Sequence, residues 1–411
     1  MKQLSLVLLA ALLALSACDS KGKKVEKPAE LTDIKSPTVR NQKLWGASVG
    51  GGGKKLRLGL GLAAAGDKLF AAGRDGDVAA FNLKTGKQLW RTETKLELAG
   101  GTGVGAEVIA VGSADGQVVA LAMDTGKERW RAEVKGEILS APAVAGNEVI
   151  VRTVDGKLRA LALEDGKEIW SAEQQIPRLT LRGAAAPVVA RDVAISGFDN
   201  GRVLAVSLAD GSTVWDSPVS PPHGRTELER LNDIDAPVKV MGDEVFVAGF
   251  QGRAAMLALD SGQIWWTRDV SSYRGVDVDD VHMYVSTSQG EVLAITRRTG
   301  QPVWSNPVLK LRSLSAPAVA GEYVVVADLE GYVHFFDRAT GDLAGRTKTD
   351  GDRVTNAPLA VGDLVYVITD KGDIVALHGT PVASQAAKAA PPPAPESAPV
   401  PESAPASAPG G

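Results

Sequence analysis

The chain repeats one short unit, and this repetition restricts the fold more than any other feature of the sequence. Each unit begins with a turn dipeptide such as Asp115-Gly116, continues with a run of apolar residues, and ends, after a second turn, at a tryptophan four residues beyond a glycine. Eight turn dipeptides follow one another, at residues 75–76, 115–116, 155–156, 200–201, 251–252, 289–290, 330–331 and 371–372. Six tryptophans keep the second spacing, at Trp90, Trp130, Trp170, Trp215, Trp266 and Trp304, and a seventh unit has Gly345 in that place. Turn signals at this spacing predict four short antiparallel strands per unit, which is one blade of a β-propeller.

The two ends of the repeat array complement each other. Residues 42–45, which end at Trp45, have the pattern of a tryptophan strand with no unit before it, whereas residues 374–377 have the pattern of a third strand with no tryptophan strand after it. Pairing them would complete an eighth blade and remove the open sheet edges of a linear array. We therefore predict an all-β fold, an eight-bladed β-propeller over residues 41–379, with four-stranded blades and a ring closed by the N-terminal strand joining the last C-terminal strands.

The repeated tryptophans are predicted to pack between neighbouring blades rather than to bind a ligand. A large aromatic side chain buries some 150–250 Å², and the same position recurs in nearly every unit. Trp265 is adjacent to Trp266 in the sequence, so it must point to the opposite face of its strand. It is the one tryptophan outside the packing frame.

The first residues have the pattern of a bacterial lipoprotein signal. Residues 1–17 combine an early lysine, an apolar core and small residues before Cys18, which is typical of a secretory signal and too short to span a bilayer. Residues 15–18 resemble the lipobox, which implies cleavage before Cys18 and attachment of lipid to it; an ordinary secreted protein with an incidental cysteine is the alternative. Cys18 is the only cysteine, so no disulfide can form within the chain. Asp19 resembles the inner-membrane retention signal of enteric lipoproteins, which leaves the choice of membrane open.

Two segments outside the repeats are predicted not to fold. Residues 18–40 carry the lipidated cysteine and a charged stretch without apolar periodicity, which we interpret as a flexible tether. Residues 380–411 are rich in alanine, proline and serine and cannot bury enough apolar area to fold, so we predict a disordered tail. The formal net charge of -4 gives no electrostatic reason to propose a nucleic acid as partner.

Catalytic and cofactor motifs are not recognisable in the sequence. The four histidines are far apart and have no neighbours at metal-ligand spacing, so no metal site is predicted. The acidic residues 277–280 lack the glycine turn and distal glutamate of an EF-hand loop and are interpreted as a solvated turn between blades. Residues 101–105 resemble a dinucleotide loop, but no helix pattern follows, and we assign them to close packing near the propeller axis. We predict neither catalytic residues nor a cofactor.

The repeat period breaks in two consecutive connections, and these are the candidate functional loops. From Trp130 the chain needs twelve residues to reach Pro142, whereas it needs seventeen from Trp170 to Pro187 and twenty-two from Trp215 to Pro237. Both insertions join an outer strand to the next inner strand, which places them side by side on one face. Leu179, Leu181 and Arg182 in the first loop, with Asp233 and Asp235 in the second, are predicted to form a protein-binding patch. The alternative is that the leucines pack inward and the charges pair across the two loops.

At these loops the sequence resembles a known family. Residues 179–183 followed by Ala186-Pro187, residues 224–230 leading to 233–235, residues 272–275, and residues 328–334 are similar to the BamB lipoproteins of the outer-membrane β-barrel assembly machinery, the BAM complex. The resemblance covers residues 29–377. It implies that the two loops contact a periplasmic POTRA domain of the barrel-forming subunit BamA, through Leu179, Leu181, Arg182, Asp233 and Asp235.

The resemblance implies a function without catalysis. The expected protein is anchored by lipid to the outer membrane, faces the periplasm, contacts the other subunits indirectly, and assists insertion of β-barrel proteins; direct binding of unfolded outer-membrane proteins is a further hypothesis. The repeats also resemble those of pyrroloquinoline-quinone dehydrogenases, which are eight-bladed propellers. Those enzymes hold their quinone against a pair of adjacent cysteines and use calcium and a catalytic aspartate, whereas this chain has no second cysteine. A shared fold does not transfer the activity.

Overall fold

The computed structural model describes residues 26–51, 56, 58–349 and 351–382, and these form eight four-stranded antiparallel sheets. No helix able to cross a membrane occurs among these described residues. The predicted signal peptide, Cys18 and the tail from residue 383 onward lie outside them.

The eight sheets are the blades of a propeller, numbered here in chain order. Blades 1 and 2 consist of β2 (Ala63–Ala65), β3 (Lys68–Ala72), β4 (Asp77–Asn82), β5 (Gln88–Glu93), and β6 (Leu98–Gly105), β7 (Val108–Ser113), β8 (Gln117–Ala122), β9 (Glu128–Glu133). Blades 3 and 4 consist of β10 (Ala143–Ala145), β11 (Glu148–Thr153), β12 (Lys157–Ala162), β13 (Glu168–Glu173), and β14 (Val188–Ala190), β15 (Val193–Gly197), β16 (Arg202–Ser207), β17 (Thr213–Pro218). Blades 5 and 6 consist of β18 (Lys239–Met241), β19 (Glu244–Ala248), β20 (Ala254–Ala258), β21 (Ile264–Arg268), and β22 (Val276–Val278), β23 (His282–Ser286), β24 (Val292–Thr296), β25 (Pro302–Asn306). Blades 7 and 8 consist of β26 (Ala318–Ala320), β27 (Tyr323–Ala327), β28 (Tyr332–Asp337), β29 (Leu343–Lys348), and β30 (Leu359–Val361), β31 (Leu364–Ile368), β32 (Asp373–Pro381), β1 (Val39–Ser48).

The ring closes as predicted from the two ends of the sequence. In blade 8 the strand order is β1-β32-β31-β30, and β1 pairs antiparallel with β32, with Lys43 opposite Leu377 and Trp45 opposite Ala376. The first strand of the chain is thus the outer strand of the last blade. The predicted eight-bladed, all-β architecture is confirmed.

The burial pattern of the strands follows from the stacking of blades face to face. The second strands are buried along nearly their whole length because both faces pack on neighbouring blades, and β7 (Val108–Ser113) is buried at every residue. The outer strands alternate instead, as in β13 (Glu168–Glu173), where Trp170 is buried between exposed Ile169 and Ser171. This alternation is the period expected of a strand with one solvated face.

The tryptophans pack between blades, as predicted. In seven blades the indole Nε1 donates a hydrogen bond of 2.7 to 3.2 Å to a backbone carbonyl oxygen of the next blade. Trp130, for example, donates to Leu163, and its ring covers Gly166 so closely that a Cβ there would lie 2.6 Å from the indole. Gly166 also has a φ of +75°, a conformation that other residues adopt at a cost. The glycine four residues before each tryptophan is therefore the residue on which the tryptophan of the preceding blade packs.

The seventh unit lacks its tryptophan because the closing strand passes there. A Cβ on Gly345 would lie 2.4 Å from Cγ1 of Val39, the first residue of β1. A tryptophan in this place would collide with the strand that closes the ring. The glycine therefore belongs to the closure of the ring.

The segment from residue 26 to residue 38, called the strap below, differs from the flexible tether predicted over residues 18–40. The Thr38 amide donates to the Ala344 carbonyl oxygen (2.9 Å), and the Arg346 guanidinium donates to the carbonyl oxygen of Thr32. The strap therefore lies along β29, the outer strand of blade 7, before β1 begins at Val39. Apolar periodicity did not indicate this, because the contacts are mainly hydrogen bonds of the strap backbone.

Because the strands of each blade run antiparallel, the turns inside blades and the connections between blades sort onto two faces. The connections between blades and the turns between second and third strands share one face, called the connection face below. Asn200 lies in such a turn. Its side-chain Nδ2 donates a hydrogen bond of 2.8 Å to the carbonyl oxygen of Gln175, which lies in the connection between blades 3 and 4. The turns between first and second strands lie on the opposite face.

The glycine-rich segment at residues 101–105 packs near the axis, as predicted. A Cβ on Gly103 would lie 1.9 Å from the carbonyl oxygen of Pro142, in blade 3, and one on Gly101 would lie 2.6 Å from that of Gly59. The acidic residues 277–280, by contrast, do not lie between blades. They span the end of β22 and its turn to β23 within blade 6, where Asp279 accepts hydrogen bonds from the His282 amide and the Tyr284 hydroxyl. The prediction of a solvated turn between blades is wrong in this respect.

Candidate partner-binding site

The two long connections lie next to each other on the connection face. Residues 174–187 join blade 3 to blade 4, and residues 219–238 join blade 4 to blade 5. We call them the first and second long loops. The backbone amide of Leu181, in the first, donates a hydrogen bond to the Asp233 carboxylate, in the second. The predicted proximity of the two loops is therefore present in the structure.

The first long loop exposes two of its three predicted contact residues. Leu179 is 42% exposed, and the Arg182 side chain is 55% exposed. Leu181 is half-buried. Arg182 pairs at 2.7 Å with Glu137, in the connection between blades 2 and 3, and not with the aspartates of the second long loop. The alternative, in which leucines turn inward and charges pair across the loops, is thus contradicted for Leu179 and Arg182.

The two predicted aspartates are buried, which corrects their expected role as surface contacts. Asp233 is fully buried, and Asp235 lies mostly below the surface, with its carboxylate against Gly183. A Cβ on Gly183 would lie 2.6 Å from Asp235 Oδ2. Asp233 therefore holds the first long loop through the Leu181 amide, and Asp235 packs against the loop at Gly183. The sequence could not show this, because charged residues in a long insertion are more often exposed.

A buried ionic cluster lies under the loops. Asp199, Asp233 and Asp235 each offer a carboxylate oxygen, and these oxygens lie within 4.8 Å of one another. The Arg152 guanidinium lies 3.7 Å from Asp199 and 4.1 Å from the centre of the Phe198 ring. Arg152 and Asp199 were not singled out from the sequence, although a charged residue directly after the apolar run Val149-Ile150-Val151 of β11 is a signal that could have identified the cluster.

Burial sets the protonation of this cluster. Desolvation raises the pKa of Asp233 to about 7, although the hydrogen bond from the Leu181 amide acts in the opposite direction. Desolvation, together with the charges of Asp199 and Asp233, raises the pKa of Asp235 well above its ordinary value. Desolvation also lowers the pKa of Arg152, whose attraction to Asp199 opposes the shift. A hydrogen bond to Asp199 adds to the rise in the pKa of Asp235, because the protonated carboxyl of Asp235 is the donor.

Among the described residues, Asp199, Asp233 and Asp235 form the group of side chains that could hold a metal ion. The Arg152 guanidinium already lies beside these carboxylates, 3.7 Å from Asp199.

The tip of the second long loop lies within residues 224–230, which carry part of the family resemblance, and it forms a short exposed turn that was not predicted from the sequence. The Glu229 carboxylate accepts the backbone amides of Arg225 (2.7 Å) and Thr226 (3.2 Å), and the Thr226 hydroxyl accepts the Glu229 amide at 3.2 Å. This reciprocal pattern is a capping box, which fixes the turn without tertiary contacts. It presents Leu228, whose side chain is 67% exposed. A T-x-x-E spacing in the sequence could have identified the turn.

A cavity of about 550 Å³ opens at the centre of the connection face. Residues that lead into the innermost strands of several blades surround it, among them Leu181, Arg182 and Asp235. Lys239 and Arg274 also line it. The candidate site thus combines exposed apolar side chains, the accessible guanidinium of Arg182, and two loops joined by the hydrogen bond from Leu181 to the buried Asp233.

Comparison with known proteins identifies the family. A family model described as outer membrane protein assembly factor BamB matches residues 40–97, 74–306 and 307–386. The chain is 46% identical over 369 residues to the outer membrane protein assembly factor BamB of Pseudomonas aeruginosa, covering 90% of this chain and 97% of that one. It is 50% identical over 359 residues to the protein of the same name from Marinobacter adhaerens, covering 87% of this chain and 92% of the relative.

Solved structures agree with this assignment. The crystal structure of BamB from Moraxella catarrhalis superposes with a TM-score of 0.76 at 26% identity and covers 82% of this chain and 100% of that one. A quinohemoprotein alcohol dehydrogenase from Comamonas testosteroni superposes with a TM-score of 0.64 at 13% identity, over 82% of this chain and 76% of that one, which shows a shared fold alone. The chain therefore belongs to the family of the outer membrane protein assembly factor BamB.

Proposed function

We propose that this protein is a non-catalytic, lipid-anchored scaffold of the outer-membrane β-barrel assembly machinery, and that its two long loops bind a periplasmic POTRA domain of BamA. The names of the relatives support the assembly role, and the resemblance of residues 179–183 and 233–235 to the family supports the partner. In this proposal Cys18 carries the lipid, the propeller faces the periplasm from the outer membrane, and the other subunits are contacted indirectly.

The observation that carries the proposal is the contrast between the surface and the base of the loops. Leu179 and Arg182 are exposed, whereas Asp233 is fully buried and accepts a hydrogen bond from the Leu181 amide, and the half-buried Asp235 packs against Gly183. A loop that is fixed before binding loses little conformational entropy on association. An exposed leucine and an arginine on such a loop are the kind of residues that carry binding energy at protein interfaces. We therefore assign contact to Leu179, Leu181 and Arg182, and positioning to Asp233 and Asp235.

Co-purification tests this assignment. The full-length lipoprotein is captured from detergent-solubilised outer membranes, and BamA is quantified in the eluate. We expect Arg182→Ala to lower BamA recovery about tenfold, as loss of one strong contact would. The control is Arg191→Ala, because Arg191 has a similarly exposed side chain (57% against 55%) and also pairs with a carboxylate, that of Asp243. Equal recovery from the two variants would exclude the first long loop as the contact.

We further propose that the outer strands bind extended segments of unfolded outer-membrane proteins by adding a strand to the blade edge. The residue before the packing tryptophan is apolar and exposed in six blades, at Leu44, Leu89, Ile169, Val214, Trp265 and Val303. Such a position offers an apolar contact beside a free edge, as strand addition requires. Crosslinking from a photoreactive residue at position 265 to an unfolded barrel substrate tests this, and no crosslink under conditions where BamA binds would exclude it.

The rival function is a quinone-dependent dehydrogenase. It rests on the propeller fold, which the dehydrogenases share at 13% identity. Reconstitution with pyrroloquinoline quinone and calcium, followed by a dye-linked turnover assay with alcohols, separates the two functions. The scaffold proposal predicts neither quinone binding nor turnover, and reproducible turnover would overturn it.

A further inference from the structure

The family-like motif at residues 328–334 forms a buried socket that the partner-binding site does not use. The Asp328 carboxylate is fully buried and accepts hydrogen bonds from Arg312 Nε at 2.6 Å and His334 Nε2 at 3.0 Å. Arg312 is itself buried, and its Nη2 donates to the Glu330 carboxylate at 2.5 Å. Its remaining terminal nitrogen, Nη1, donates 2.9 Å to the carbonyl oxygen of Ala29, in the strap. The socket thus fixes the orientation of a guanidinium that binds the strap backbone.

A second set of contacts holds the strap on the same connection. The Ala29 amide donates to the Lys310 carbonyl oxygen at 2.9 Å, so that Ala29 is bonded through both its N–H and its C=O. The Lys310 ammonium pairs with the Glu26 carboxylate, and Leu31 packs on the apolar cluster that includes Leu309. Glu26, Ala29 and Leu31 of the strap are therefore held by ionic, backbone and apolar contacts, respectively.

The position of the socket determines where the N-terminal part of the chain leaves the ring. Lys310 and Arg312 belong to the connection between blades 6 and 7, residues 307–317. This is the same type of connection as the two long loops, and it lies on the connection face with them. Residue 26 is therefore held at the rim of the face that carries Leu179, Arg182 and Leu228.

We propose that the socket turns the connection face towards the membrane surface. The inference rests on the proposed lipidation of Cys18. Glu26 follows Cys18 by eight positions, and eight steps along the chain span at most about 29 Å when fully extended. Four lysines lie between residues 21 and 27, and lysines close to an anionic lipid surface are attracted to its headgroups. The propeller is thus tethered at one edge of the connection face, and the bound POTRA domain would lie between the ring and the bilayer.

Energy transfer from two labelled positions tests the orientation. If the lipid occupies Cys18, an introduced cysteine provides the one free thiol of the chain. The full-length lipoprotein carries a donor dye on Leu228→Cys, at the tip of the second long loop, or on Asp192→Cys, on the opposite face of blade 4. Both are reconstituted in vesicles of phosphatidylethanolamine and phosphatidylglycerol with a headgroup-labelled acceptor. We expect transfer from position 228 to be at least about twofold stronger, and equal or reversed transfer would overturn the proposal.

A conservative substitution separates the socket from the fold. In Arg312→Lys the ammonium can still pair with Asp328 but cannot also reach Glu330 and Ala29, because lysine lacks the planar fork. The control is Arg353→Lys, since Arg353 pairs with Asp370 at 2.6 Å in the next connection without contacting the strap in the described residues. We expect Arg312→Lys combined with Leu31→Ser to speed hydrogen exchange at Ala29 and to equalise transfer from the two labels. If hydrogen exchange at Ala29 becomes faster in this double variant while energy transfer from position 228 stays stronger than from position 192, the proposed role of the socket is refuted.

Failure of this inference can be distinguished from failure of the proposed function. Intact-mass analysis of the purified protein reports whether Cys18 carries lipid, and BamA recovery reports the partner. Lipidated protein that binds BamA but gives equal transfer from both labels would refute the orientation alone. Protein without lipid would refute the anchor on which both rest.

Discussion

Loss of one interblade tryptophan should cost more stability than loss of an equally large exposed one, and the structure allows the cost to be estimated. Trp130 is only 7% exposed, and its indole Nε1 donates 2.7 Å to the Leu163 carbonyl oxygen of the next blade. Burying 150–250 Å² of aromatic surface at about 25 cal/mol per Å² stabilises by roughly 4–6 kcal/mol as an upper bound. Phe or Trp replaced by Ala in a core typically costs about 3–5 kcal/mol. The unpaired Leu163 carbonyl adds about 1 kcal/mol or more. We therefore expect Trp130→Ala to lower the free energy of unfolding by about 4 kcal/mol.

Guanidinium unfolding followed by far-ultraviolet circular dichroism measures this change without relying on tryptophan fluorescence. Trp265→Ala is the matched control, because Trp265 is 55% exposed and no hydrogen bond of its indole is found among the described residues. A surface substitution of this kind changes stability by about 0.5 kcal/mol or less. Equal losses in the two variants, or a loss below about 1 kcal/mol for Trp130→Ala, would refute the assignment of the repeated tryptophans to interblade packing.

Two further predictions concern buried charges. Burial raises the pKa of Asp233 to about 7, so the folded protein retains a proton that the unfolded chain releases near the ordinary pKa of an aspartate. The contribution of this carboxyl to the free energy of unfolding is therefore lost as the pH rises from about 4 to 7. Asp233→Asn keeps an acceptor for the Leu181 amide, so its stability relative to wild type should rise over that range in urea unfolding at several pH values; a constant difference would contradict the shifted pKa. Arg312→Ala leaves Asp328 buried without its ion pair and should cost about 3–5 kcal/mol, whereas Lys310→Ala removes an exposed pair and should cost less than about 1 kcal/mol in the same assay. Similar losses in these two variants would contradict the buried role of Arg312.

The ring could be predicted from the sequence because its determinants are local and repeated. The turn dipeptides and the glycine seats of the tryptophans recur in register, and the incomplete units at Trp45 and Leu377 complement each other. Gly345 could be recognised as a missing tryptophan, but its cause could not. The reason is a collision with Val39, more than 300 residues away in the chain.

The site could be located from the sequence, but its internal roles could not be assigned. The break in the period identified the two long loops, yet the sequence does not show which of their polar residues are exposed. Asp233 is buried because the residues that follow the loop tip turn back towards blade 4, where the Ile234 amide donates to the Phe198 carbonyl oxygen. Arg152, from another blade, completes the cluster. Such contacts depend on tertiary packing, which a single sequence does not encode in any short pattern.

The central claim is that exposed residues of the first long loop bind the periplasmic domains of BamA. The most direct measurement is the dissociation constant between these purified domains and the full chain, by isothermal titration calorimetry at physiological salt. The test variant is Leu179→Ala with Arg182→Ala, and the control is Leu89→Ala with Arg191→Ala, whose side chains are about equally exposed (42% against 43% for the leucines, 55% against 57% for the arginines). The account predicts a dissociation constant raised about tenfold or more in the test variant and changed by less than about twofold in the control. An unchanged dissociation constant in a folded test variant would contradict the account.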